Sequence, residues 1–134
     1  MPVQRVFFVI AALGGLLAVV FGAFGAHALR QVLTIEQLMI WEKGVQYQFY
    51  HSLALLLCYL YLRSERSTYV RNAAICFVLG ITCFSGSLYL LATDDFLHIP
   101  KLILGPITPI GGLFFIAGWG LLLVEGMKKG EGKI

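Results

Sequence analysis

Residues 6–26 read VFFVIAALGGLLAVVFGAFGA and contain no charged side chain. A helix crossing a hydrocarbon core about 30 Å thick needs about 20 apolar residues, so this stretch is long enough to span a bilayer. Three further apolar runs occupy residues 44–62, 72–92 and 108–124. Backbone polar groups inside hydrocarbon must be satisfied within the segment, which makes each run a helix. The runs lack the alternation of a transmembrane β-barrel strand. Composition agrees: 59% of the 134 residues are hydrophobic and 13% charged, with a mean hydropathy of +0.85. Soluble domains carry about 25% charged residues. A disordered segment, a basic nucleic-acid-binding domain and an ordinary soluble enzyme domain are therefore excluded. The expected fold is an all-α membrane protein, a single domain over residues 1–134 with four transmembrane helices in a compact bundle. A short interfacial helix is expected between the first and second spans, where Ile35, Leu38, Met39 and Trp41 recur at helical spacing.

The start of the fourth span has two readings. Pro106 and Pro109 interrupt an apolar run that begins at Leu102. The favoured reading takes Thr108 as helix cap and Pro109 as the first helical residue, where a missing N–H is harmless. Residues 102–107 would then form a separate interfacial or re-entrant piece. The alternative is one kinked helix from Leu102.

Charge gives orientation. Arg5, Arg63, Arg66, Arg71, Lys128, Lys129 and Lys133 fall on the side that holds both termini, against Arg30, Lys43 and Lys101 on the other. The excess of Lys and Arg marks the cytoplasmic side, so both termini are expected there. Glu36, Glu42, Asp94 and Asp95 lie on the opposite side. The net charge of +3 is thus an orientation signal, not a nucleic-acid patch. Arg5, the apolar run and Ala26-His27-Ala28 loosely resemble a cleavable signal peptide, but the run exceeds the usual 7–15 residues. An uncleaved first span is expected.

Small residues predict the packing faces. Gly14, Ala18, Gly22 and Ala26 recur every fourth position in the first span, and Ala73, Cys76, Gly80, Cys83 and Ser87 form a heptad-like seam in the third. Such residues let helix backbones approach closely in lipid, or serve as a homo-oligomer contact. Cys58, Cys76 and Cys83 all lie in spans, read as small apolar filler, with Cys58 and Cys76 at similar depth.

The second span carries the chemistry. Gly44, Tyr47, Gln48, His51, Leu55 and Cys58 share one helix face, while Gln46 and Tyr50 point elsewhere. His51 lies seven residues in from Gly44, and Ser85 lies seven from the outer end of the third span at Ala92. The two are expected to face each other. His27 closes the outer end of the first span, and Thr108 opens the fourth at the same surface. His27, Gln48, His51, Ser85 and Thr108 thus form a candidate polar cluster in the outer half, able to bind a small ligand or lipid headgroup. An ionisable residue within a membrane is a functional-site hypothesis by default. Neutral polar side chains also simply tie helices together. Both readings stay open for His51.

Other chemistry lacks its parts. No Asp or Glu lies within the four spans, no metal-protease HExxH occurs, and Phe84-Ser85-Gly86-Ser87 does not fit the G-x-S-x-G nucleophile turn. The Gly105–Gly112 stretch lacks the Lys-Ser/Thr pair of a phosphate loop. No enzyme activity and no cofactor are expected. The alternatives are a small transporter or channel subunit with His51 in its pathway, or an intramembrane metal or haem protein using His27 and His51.

Several motifs stand in register: Gly22-Ala23-Phe24-Gly25-Ala26-His27, Trp41 followed by Val45-Gln46-Tyr47-Gln48-Phe49-Tyr50-His51, Phe84-Ser85-Gly86-Ser87-Leu88-Tyr89, Thr108-Pro109-Ile110-Gly111-Gly112 and Gly118-Trp119. In these the chain resembles domain-of-unknown-function family 423, small membrane proteins similar to eukaryotic transmembrane protein 256, over nearly its whole length. The resemblance implies an integral protein of the bacterial cytoplasmic membrane and implies no activity. It places His27, Gln48, His51, Ser85 and Thr108 within the family's motifs.

Overall fold

The order of elements follows from where caps and turns interrupt the apolar runs. A computed structural model describes residues 2–131, and Lys133 of the charge count lies outside them. The helices are α1 (Val3–His27), α2 (Ile35–Ser64), α3 (Thr68–Gly80), α4 (Gly86–Ala92), α5 (Asp94–Leu97) and α6 (Lys101–Glu131). A π-helical turn, Ile81–Ser85, joins α3 to α4, so the two form one rod. No strand occurs among the described residues. Three stretches are long and apolar enough to cross a membrane: Val3–Gln31, Thr68–Ala92 and Lys101–Lys128. The length of α2 would also suffice, but Gln46, Gln48, His51 and its tyrosines lower its hydropathy.

Two expected breaks are absent. The segment expected as a separate interfacial helix is the first part of α2, which runs without interruption to Ser64. Its start is fixed at Thr34: the hydroxyl accepts from the Gln37 N–H at 3.2 Å, and the Thr34 N–H donates to Gln37 Oε1 at 2.9 Å. This reciprocal cap satisfies two end donors at once. Gln37 Nε2 also donates to Asp95 at 2.7 Å, tying the start of α2 to α5. Nothing after residue 42 breaks the helical pattern, so the chain continues straight into the second apolar run.

The fourth rod likewise begins at Lys101 and passes through both prolines. Thr108 is therefore not its cap, and residues 102–107 are not a separate piece. Each proline removes one helical N–H, a loss that neighbouring helices and hydroxyl side chains make tolerable in membrane helices.

The rods pack in series. α1 lies on α2, α2 on the α3–α4 rod, and that rod on α6, while side chains of α2 and α6 also meet at His51, Phe115 and Trp119. The arrangement is open rather than a closed square. The main core joins Phe7, Ala11, Leu55, Cys58, Val70, Phe77 and Phe115, and a second cluster gathers Leu29, Leu33, Trp41 and Ala92 at the opposite end. The outward faces of α1 and α6 are apolar, with Leu16, Val19, Leu113 and Ile116 among the exposed side chains.

The small-residue faces shift slightly from expectation. On α1, Gly25 is buried and Ala26 exposed. On the third rod, Ala73, Gly80 and Ser87 are buried, while Cys76 and Cys83 are half-buried. All three cysteines are free thiols. The α3–α6 contact is instead a ladder of large against small. A Cβ on Gly118 would come within 2.6 Å of the Phe77 ring, and one on Gly80 within 2.4 Å of Phe115. One on Gly111 would sit 2.3 Å from the Phe84 backbone nitrogen, inside the π turn. Only a residue without a side chain lets α6 approach that widened turn so closely.

Candidate functional site

The polar residues on α2 sit where the helix faces three neighbours. Gln48, His51, Ser52, Ser85 and Ser87 are all buried. Burial of such groups is tolerated when each finds a hydrogen-bond partner. Among the described residues, no buried side-chain nitrogen or oxygen lacks one.

Gln48 joins three helices. Its amide donates to the Gly14 carbonyl of α1 at 2.8 Å, and its carbonyl accepts from the Tyr89 hydroxyl of α4 at 2.7 Å. Gly14 also leaves room for the neighbouring Ser52, whose hydroxyl a Cβ there would meet at 2.4 Å. Ser52 itself donates to the mainchain carbonyl of Gln48 at 2.7 Å.

His51 joins α2 to α6. The Trp119 indole N–H donates to its Nε2 at 3.2 Å, and Nδ1 lies 2.7 Å from the Tyr47 carbonyl. Trp is a donor only, so Nε2 must be the acceptor and Nδ1 carries the proton that it gives to Tyr47. Both ring nitrogens of a neutral imidazole are thereby used. The ring stacks on Phe115 at 3.5 Å between centroids and 9° between planes, with Phe77 and Trp119 around it.

The remaining contacts are separate. Ser85 donates to the Gly44 carbonyl at 2.7 Å. Ser87 donates to the Phe84 carbonyl at 2.9 Å and shares a 2.6 Å hydrogen bond with Thr108. Trp41 donates to the Phe21 carbonyl at 2.9 Å.

The expected cluster is thus distributed. Gln48 and His51 stay one turn apart on the buried face of α2, and Gln46 and Tyr50 are exposed as their spacing predicts. Ser85 does not face His51. It lies at the level of Gly44, while His51 lies beside Phe77, about two turns deeper. The mismatch arises because α2 extends outward past Gly44: Gly44 packs on Leu88 and Tyr89, and Trp41, further out, reaches Ala92 at the end of α4. Thr108 reaches the site through Ser87, from within α6. His27 is exposed at the end of α1 and takes no part. Among the described residues, no group of three His, Cys, Asp or Glu gathers as metal ligands.

Trp119, Tyr89 and Trp41 complete these contacts and were not among the expected site residues. Their signal was present in residue type: an indole N–H or phenol hydroxyl in an apolar run needs a partner. The mainchain acceptors Gly14, Gly44 and Phe21 leave no such trace in sequence.

An aromatic groove of about 580 Å³ opens between α2 and α6, with His51 at its floor and Tyr47, Tyr50, Phe84, Phe115 and Trp119 around it. Gln48, Ser85 and Thr108 do not line it.

Residues 21–112 match the family model described as a protein of unknown function, DUF423. The chain is 44% identical to a UPF0382 membrane protein of Staphylococcus epidermidis, over 93% of this chain and 98% of that one. It is 39% identical to the UPF0382 membrane protein YwdK of Bacillus subtilis, with 93% and 98% covered. It is 34% identical to the UPF0382 inner membrane protein YgdD of Escherichia coli, with 93% and 92% covered. No solved structure matches.

Proposed function

For a chain that belongs to the DUF423 family of membrane proteins, we propose a non-enzymatic, four-span protein of the bacterial cytoplasmic membrane whose buried polar residues hold its helices together. The observation that carries this reading is that Gln48, His51, Ser85 and Ser87 are each engaged in separate contacts. All four bonds link different rods, two between side chains and two to mainchain carbonyls, one of the latter fixing the π turn onto α2. Residues 44–62 of α2 make the fourth span, and the positive-inside balance puts both termini in the cytoplasm. The inner-membrane name of the Escherichia coli relative supports the location. The aromatic groove beside His51 suits a lipid chain or a flat apolar ligand, because its walls are rings rather than free polar groups.

Native mass spectrometry of the purified protein tests this reading together with the variants His51→Ala, Gln48→Leu and Ser85→Ala. The expected result is lowered stability in each variant, with an adduct seated in the aromatic groove responding to His51→Ala alone. A single adduct lost in all three variants would contradict it.

A second reading is a small transporter or channel subunit with His51 in its pathway. The open, serial packing favours it in one respect: a second copy docked on the apolar outer faces of α2 and α6 would enclose the groove. Proteoliposome flux that is indifferent to His51→Ala would remove it.

A further inference from the structure

At the opposite end from the polar contacts, a cleft of about 460 Å³ lies between the first turns of α1 and the turn from α2 to α3. Its floor is apolar, formed by the buried Phe7 and Leu62. Its rim carries Arg66, Ser67, Thr68 and Arg71. We propose that this cleft binds the phosphate of an anionic phospholipid, with the lipid chains running along Phe7 and Leu62.

The two arginines are exposed, and neither side chain has a carboxylate partner or hydrogen bond among the described residues. Neighbouring cations are differently placed: Arg63 lies over the Tyr59 ring, and Lys128 sits on Tyr69. Guanidinium groups match phosphate oxygens in shape and charge, and gain most where the partner is fixed at an interface. Ser67 already caps α3, its hydroxyl accepting from the Val70 N–H at 3.2 Å. The N–H groups of Thr68 and Tyr69 remain outside the helical ladder, as first-turn groups must. They add to the positive potential at the rim.

A free phosphate ion would use the rim alone. The apolar floor continues the core of α1 and α2, so the cleft is polar at its mouth and greasy below. That division matches a phospholipid at the membrane surface, where juxtamembrane arginines attract anionic headgroups. A headgroup with its own cation, such as choline, would meet two arginines and be disfavoured. The inference rests on the chain lying in a membrane with this end at a surface. It does not depend on which leaflet that is, nor on the role of the polar contacts at the other end.

The test is native mass spectrometry of the full chain in detergent micelles containing equal amounts of phosphatidylglycerol and phosphatidylcholine. The wild type is expected to carry phosphatidylglycerol over phosphatidylcholine by about tenfold. Arg66→Gln combined with Arg71→Gln should bring the ratio near unity, while Arg63→Gln, outside the cleft, should keep it. Each single substitution should lower the ratio about threefold, which decides the matter if the double variant does not fold. Equal adducts in the wild type would overturn the proposal. So would an equal loss in Arg63→Gln, which would mean diffuse surface charge. Adding millimolar inorganic phosphate separates the two sources of phosphate. Retention of the lipid adduct supports the lipid, and its full replacement by phosphate would overturn the lipid assignment.

Discussion

The interface of α1 with α2 and that of α3 with α6 both use glycine, for different ends. Between α3 and α6, glycine receives a ring: Phe77 lies against Gly118 and Phe115 against Gly80, and Gly111 presses on the Phe84 backbone. Between α1 and α2, glycine exposes mainchain to polar side chains. Gly14 offers its carbonyl to Gln48, and Gly25 makes room for Trp41, whose indole reaches the Phe21 carbonyl. In lipid the hydrophobic effect does not bring helices together, so close packing and hydrogen bonds must do so. One interface relies mainly on shape and the other adds hydrogen bonds to the mainchain.

The comparison breaks most sharply at Gly111. Its added methyl would strike backbone, which cannot rotate away, so Gly111→Ala should destabilise by about 3 kcal/mol in detergent unfolding. Gln48→Leu comes next. It removes two interhelical bonds and leaves the Tyr89 hydroxyl unpaired, for a loss of about 1.5–2 kcal/mol. Gly14→Ala should cost about 1 kcal/mol or less by the same measurement, because the obstructing atom is a hydroxyl that can swing aside. If Gly14→Ala matched Gly111→Ala, the two interfaces would be of one kind. Ser85→Ala removes one bond to a carbonyl that keeps its helical partner, and about 0.6 kcal/mol is expected. His27→Ala, at an exposed helix end, should stay within about 0.5 kcal/mol of wild type.

Much of this was legible in residue order. Uniform apolar runs specify helices, and the 3.6-residue period put Gln48 and His51 on the buried face of α2. What failed was register. Depth counted from the apparent ends of two runs set His51 against Ser85, because nothing in the composition shows that α2 begins at Ile35. The Thr34 and Gln37 cap carries that information, and it lies outside the apolar run. Thr108-Pro109 has the chemistry of a helix start, yet α6 passes through it, held by the Ser87 contact and by packing on α4. Local preference there yields to tertiary contact. The pairing of Phe with Gly needs two helices in known register, so single glycines pointed to close packing without naming the partner.

A double-mutant cycle on Gln48 tests the central claim most directly, that the buried polar residues are separate helix contacts rather than one binding site. Gln48→Leu paired with Tyr89→Phe should show a coupling of about 1 kcal/mol, since the two share a hydrogen bond. Gln48→Leu paired with Thr108→Val should add within about 0.5 kcal/mol, since they share no partner. Coupling of similar size in both pairs, lost when bound lipid is stripped away, would contradict the account and point to one shared ligand site.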